Sequence, residues 1–260
     1  MVISTLLFLI KTIKYSGVTM NRIFILSAFS ILLLLFFAAC DDDNDIVGPG
    51  EEVPEFPTIE LEPPDTETRD QGYQLISGLT NSINTQSQLA FGLFSAAGAE
   101  QTQDGWRWTR TINGVTVNLT SELRGDGNYE WQLVLDGQEE DGTTYDNWVA
   151  LEGISSPDGN FGSITYFFEN TTVPNAIFEW ETEADGTKEA DIAIYNEDDN
   201  TIDWQSTIIN SPDGSGSAVV YESSNGDLYL YFDAEWNPEG SGSWNHYNVD
   251  GDVINSGEWE

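Results

Sequence analysis

One cysteine, one histidine and eight basic residues are the scarce parts of this 260-residue chain, set against 45 acidic ones. A lone cysteine, Cys40, has no partner for an intrachain disulfide, and zinc sites built on several thiolates are excluded. A lone histidine, His246, leaves nucleophilic triads little to work with. As a base it would need a positioned serine, and the sequence marks none, so it reads as a sheet-surface or rim histidine. Lysine and arginine are too few to neutralise phosphates, which excludes nucleic acid as a partner. The same shortage argues against adhesion of the domain itself to anionic lipid headgroups.

The scarcity is also uneven. Lys11, Lys14 and Arg22 precede Cys40, and no acidic residue does. Beyond it, Arg69, Arg107, Arg110, Arg124 and Lys188 stand against all 45 acids, a net charge of 5 − 45 = −40. A salt-rich surrounding suits such a chain, because screening shortens the range of self-repulsion.

Long apolar runs are confined to the N-terminus. Met20-Asn21-Arg22 is a basic start, and Ile23 to Ala39 runs almost without a polar residue. That order is the pattern of a secretory signal peptide, expected over residues 1–39, with 1–19 read as an upstream extension before Met20. The alternative is an uncleaved anchor, since about 20 apolar residues span a bilayer. Ala38-Ala39-Cys40 resembles the lipobox of bacterial lipoproteins, with Phe37 standing where that family usually has an aliphatic residue. The resemblance implies cleavage before Cys40, a diacylglyceryl group on its thiol and an acyl group on its new amine. Several chains anchor stably where one holds only marginally. Asp41, Asp42, Asp43 and Asp45 resemble the export signal of surface lipoproteins. The implied location is the bacterial outer membrane, lipid-anchored and surface-exposed. Residues 40–65, rich in proline and acid, read as the lipidated cysteine and its stiff tether.

Residues 66–260 read as a single domain. Leu75, Ile76, Leu79, Ile83, Ala90, Leu93, Phe94 and Ala97 recur at helical spacing, which predicts one long helix over 66–98. Thr68 and Gln71 suggest a capping box, Gly98 an end, and the interior glycines a break near Asn84. From 105 to 260 the period changes to two. Val115, Val117 and Leu119 alternate with polar residues, as do Trp131, Leu133 and Leu135. Asn-Gly and Asp-Gly turns bound the runs, which predicts about twelve hairpin-linked strands. Short links favour an antiparallel up-and-down meander. Ser156-Pro157-Asp158-Gly159 recurs as Ser211-Pro212-Asp213-Gly214, and Trp180 recurs as Trp236, so one repeat spans about four strands. The tail from Gly242 to Trp259 resembles the glycine-aromatic hairpins of MORN-like repeats. The expected fold is α+β, mainly β: a strongly curved or barrel-like meander covered by the helix, an outline similar to lipoprotein carrier domains. Acids recurring on strand after strand exclude a transmembrane barrel, which needs an apolar outer band.

No catalytic constellation stands out, so the chain reads as a non-enzyme: a binding or structural module, with a hydrophobic ligand in a groove between helix and sheet. The alternative is a surface carbohydrate-binding protein or a glycosidase working with two carboxylates. Of the nine tryptophans, Trp131, Trp180 and Trp236 are in phase with aliphatic neighbours and read as core. Trp106, Trp108 and Trp244 lie near strand ends and are the candidates for a ligand surface. Asp250 and Asp252 offer carboxylate oxygens of the kind calcium takes. Arg124-Gly125-Asp126 reads as a hairpin turn.

Overall fold

The structure is a computed structural model, and it describes residues 53–65, 68–89, 94 and 98–260. The signal-like segment, Cys40 and the acidic run after it lie outside the described residues. Among the described residues one helix, α1 (Gln71–Leu89), precedes thirteen antiparallel strands that follow one another across a single sheet in sequence order. They are β1 (Glu100–Gln101), β2 (Gly105–Ile112), β3 (Val115–Leu123), β4 (Tyr129–Gln138), β5 (Thr144–Ser155), β6 (Phe161–Phe167) and β7 (Pro174–Thr182), then β8 (Lys188–Tyr195), β9 (Ile202–Asn210), β10 (Gly216–Ser224), β11 (Asp227–Trp236), β12 (Gly242–Tyr247) and β13 (Val253–Trp259). The meander is as expected, and the sheet stays open between β1 and β13.

The turns explain the regularity. Asn113-Gly114 and Asn225-Gly226 are two-residue links with positive φ at both positions, the conformation that matches strand twist. Elsewhere a four-residue turn recurs at 124–127, 139–142, 156–159, 183–186, 211–214, 237–240 and 248–251. In each, the amide of the last residue, a glycine, donates to the carbonyl of the first at 2.9–3.1 Å. Arg124-Gly125-Asp126 is the start of one such turn. An aspartate within many of them accepts from the amide of the residue that leads into the next strand, as Asp158, Asp185 and Asp213 do from Asn160, Thr187 and Ser215. These bonds hold the carboxylates of Asp158, Asp185 and Asp213 below their ordinary range, led by the Ser156 hydroxyl, the Thr187 amide and the Ser215 hydroxyl respectively.

One face of the sheet is buried. A row of laterally paired residues crosses it from Trp106 through Trp131, Phe178, Ser206 and Phe232 to His246. Alongside it, each of three tryptophans lies over a glycine of the preceding strand: Trp180 over Gly162, Trp236 over Gly216, Trp259 over Gly242. A methyl group at any of these glycines would overlap the indole, so the ring takes the place of a second side chain. Trp180 and Trp259 donate their ring N–H to the carbonyls of Gly159 and Gly240, at 3.0 and 2.6 Å.

Among the described residues two elements cover this face, and one is unexpected. The helix is shorter than the expected 66–98, and Asp70, not Thr68, caps it: its Oδ1 accepts from Gly72 N at 2.8 Å and Tyr73 N at 3.3 Å. An acceptor at this position satisfies amides that the first turn leaves open. Ile76, Leu79 and Ile83 are buried, and Gly72 lies directly under the Trp244 ring. Phe94 of the expected stripe is buried too, whereas Ala90, Leu93 and Ala97 lie outside the described residues. The other cover is the stretch 53–65, which the tether reading had placed in solvent. Ile59 and Leu61 are 4 % and 2 % exposed, and Phe56 sits against Trp108 and Trp131 at centroid distances of 5.3 and 5.7 Å. Its alternation Ile59-Glu60-Leu61-Glu62 turns the aliphatics inward and the acids out.

Side chains act as its strand partners. Leu61 N donates to Asn84 Oδ1 (2.9 Å) and Asn84 Nδ2 donates to Leu61 O (2.8 Å). Glu62 N donates to Asn210 Oδ1 (3.2 Å) and Asn210 Nδ2 donates to Glu62 O (3.0 Å). Lys188 Nζ donates to Glu60 O at 2.7 Å. Asn84 therefore marks a clip rather than the expected helix break. Lys188 and Asn210 face each other across β8 and β9, just after the 183–186 turn and just before the 211–214 turn, where other hairpins carry the glycine–tryptophan pair. In this hairpin the pair is replaced by donors and an acceptor for the crossing chain.

A core position at Leu61 has a measurable consequence. Leu61→Ala costs about 2–5 kcal/mol, the range for a buried leucine, against about 0.5 kcal/mol or less at a solvated position. Urea unfolding followed by tryptophan fluorescence checks this, and a change within the smaller range would return 53–65 to the tether.

Candidate functional site

The three tryptophans expected at a ligand surface are core residues. Trp106, Trp108 and Trp244 are 6 %, 1 % and 5 % exposed. Their strand-end positions misled because their covers lie far away in sequence: Phe56 packs on Trp108, and Gly72 of α1 on Trp244. Trp131, Trp180 and Trp236 are buried, in line with their phase. Asp250 and Asp252 belong to the 248–251 turn and its exit, where both amides donate to Asn248 Oδ1 at 3.0 and 2.9 Å. Among the described residues no three His, Cys, Asp or Glu side chains come together as a metal site. His246 belongs to the buried-face row rather than the solvent face. It is half-buried, and its ring meets Tyr231 edge-on at 4.3 Å. Burial pushes its pKa down.

The arrangement that does gather chemistry lies on the other, polar face. An open groove of about 460 Å³ runs across β5 to β8, lined by Ile154, Phe161, Ser163, Glu179, Glu181, Glu189 and Asp191 together with Gly162 and Trp180. Antiparallel register sets Glu179 opposite Asp191 and Glu181 opposite Glu189. Directly opposed positions bring Cβ atoms to about 4.5–5.5 Å, and like charges there repel. Phe161 stands opposite Glu181, 40 % exposed, and forms the groove's aromatic wall. Asp191 is held by a short hydrogen bond from the Thr207 hydroxyl. The Glu189 carboxyl is pushed above its ordinary range by burial first, then by Asp191, Glu183 and Glu181.

Chemically, this is an acceptor-rich wall beside one ring. Ionised carboxylates accept hydrogen bonds from hydroxyl or ammonium groups, and the phenyl face takes the apolar side of a ring or chain. A carboxyl of raised pKa beside ionised ones is also the arrangement that separates proton donor from acceptor in glycoside hydrolysis. The site was visible in outline. Glu179-Trp180-Glu181 and Glu189-Ala190-Asp191 flank the Glu183–Gly186 turn symmetrically, so hairpin counting alone opposes the acids. What no spacing marked is which of the many acidic pairs would border a concavity.

The raised Glu189 carboxyl fixes a sign. A carboxyl whose folded pKa exceeds its unfolded value favours the fold when protonated. That contribution is full below about pH 4.3 and is lost as pH rises through the folded value. Glu189→Gln removes the unfavourable charge, so it should raise Tm at pH 7 by about 1–2 °C and give no gain at pH 3.5. Thermal melts at both values test this; an unchanged Tm at pH 7 would show that Glu189 carries no excess repulsion.

No protein-family model matches this chain, and no curated protein matches it significantly.

Proposed function

We propose that this chain is a lipid-anchored, non-enzymatic binding module of the bacterial cell surface, taking a polar ligand on the outer face of its sheet. The anchor is the lipid on Cys40, and the acidic run after it is the stalk. The observation that carries the reading is how the chain leaves that stalk. From residue 53 it runs into the core, with Ile59 and Leu61 buried and its backbone clipped by Asn84, Asn210 and Lys188. A pull on Cys40 is thereby passed to the sheet and not to a floppy end.

The choice of a polar ligand follows from which face is free. A hydrophobic ligand needs the inner face, and there the protein's own Phe56, Ile59, Leu61 and tryptophans fill the space. The groove bounded by Phe161 and the opposed acids faces water. Polyhydroxylated chains such as surface or environmental polysaccharide suit an aromatic ring beside hydrogen-bond acceptors. The paired carboxylates and the raised Glu189 favour a glycosidase as the second reading.

Two measurements test the proposal. Cys40→Ala abolishes incorporation of radiolabelled fatty acid and leaves the precursor uncut; equal label on both proteins would sink the anchor. In pull-down with insoluble polysaccharides, Phe161→Ala weakens retention by up to about tenfold, the equivalent of losing an aromatic contact of about 0.5–1.5 kcal/mol. Release of soluble sugar during the same incubation, lost in Glu189→Gln, would replace binding by hydrolysis.

A further inference from the structure

The two edges of the open sheet are treated differently. At one edge β1 is two residues long, and a very short edge strand is a common guard against pairing with another chain. The adjoining β2 also carries Arg107 and Arg110. At the other edge β13 runs for seven residues, VINSGEW, with neither lysine nor proline. Among the described residues no strand pairs with its far side. Val253 and Ile254 on this strand are 53 % and 58 % exposed, and Val249 in the preceding turn is 57 % exposed. The first four residues of β13 are exposed on both faces. A free row of backbone donors and acceptors flanked by aliphatics is the template for strand addition.

Charge selects the occupant. Asp250 and Asp252 border the aliphatics, and Glu258 continues a line through Ser243 to Glu235 on the outer face. A second copy of this chain would bring another net charge of −37 to that edge. We propose that the β13 edge docks an extended, lysine- or arginine-bearing segment of a partner protein, which joins the sheet as a fourteenth strand. Main-chain hydrogen bonds supply the binding; the basic residues fall on the outer face, which Val253 shares with Glu258, lay their stems beside Val253 and meet Glu258 and the turn acids, while the alternate aliphatic residues turn to the inner face. This surface is separate from the groove across β5 to β8, and neither reading rests on the other.

The test uses the full chain in detergent and three labelled ten-residue peptides, followed by fluorescence anisotropy at 0.15 M salt. The first alternates lysine with valine. The second replaces lysine by glutamate. The third keeps the lysines and replaces valine by proline, which preserves charge and removes the amide donors that strand pairing needs. The lysine–valine peptide should bind at least tenfold tighter than either control and slow hydrogen exchange within 253–259. The double substitution Val253→Lys, Ile254→Lys should weaken it at least tenfold with Tm unchanged, because both side chains are already in solvent. Phe161→Ala should leave it untouched. Equal binding of the proline peptide would show diffuse charge attraction and overturn the proposal, as would protection of amides outside β13. Concentration-dependent self-association lost in the same double variant would make the occupant a second copy, which also overturns it.

Discussion

An open thirteen-stranded sheet has one face to hide, and among the described residues there is too little helix to hide it with. The nineteen residues of α1 pack against β12 and β13, and the rest of the inner face needs another cover. That need explains features which look unrelated. The stretch 53–65 supplies Phe56, Ile59 and Leu61. Tryptophans lean over cross-strand glycines and spread one large ring over the space of two side chains. The clips from Asn84, Asn210 and Lys188 satisfy backbone groups of a strand-like segment that has no sheet of its own, groups that would otherwise be costly to bury. Not every polar atom is so served: the ring nitrogens of Trp236 and Trp244 and the hydroxyls of Ser121 and Ser206 are buried without a hydrogen-bond partner.

The charge of this chain is arranged around that burial. Acids occupy turns and the outer face, where water solvates them, and turn aspartates are put to use as acceptors for strand-leading amides. Lysine, by contrast, occurs once after Cys40, and Lys188 is committed to a backbone carbonyl of the crossing segment. Repulsion is greatest where register stacks acids opposite one another. The groove at β7 and β8 is such a place, and it persists because the turn aspartates and core on either side hold the hairpin. With its folded pKa raised, Glu189 loses stability for the fold as pH rises, whereas Asp158, Asp185 and Asp213 lose it as pH falls through their depressed values. The two windows do not overlap, the aspartates' lying below the ordinary carboxylate range and that of Glu189 above it, so these contributions are greatest together between them, at about pH 4.

Most of the sheet could be read from residues alone, and the reason is local. Period-two alternation and glycine turns with fixed hydrogen bonding are short-range signals, so strand starts such as Val115, Lys188 and Gly242 fall where the pattern puts them. The misreadings share a cause as well: they concern contacts made across long sequence separations. Trp106 and Trp108 read as exposed because strand ends usually are, and nothing near them announces Phe56. The proline and acid content of 53–65 outweighed the alternation at Ile59 to Glu62, which is itself a strand-like signal. Asp70 lost to Thr68 as a cap because Gln71 completed a motif in sequence that the chain does not use. Cys40 and its lipobox-like flank remain the reverse case, a sequence signal lying outside the described residues.

These positions bear on what the protein can present. The inner face is spent on stability, so recognition falls to the outer face and the free edge, and the two differ in kind. A flat, acidic face with one half-exposed ring offers many weak acceptors, which suits an extended polar polymer engaged at several points. The edge offers a single register of backbone bonds, which suits one protein segment. Both lie on elements whose buried residues are clamped by the core, and a site on rigid strands holds its geometry better than one on loops. The same clamp reaches back to residue 53. Both surfaces and the point where the chain enters the core therefore belong to one mechanical body.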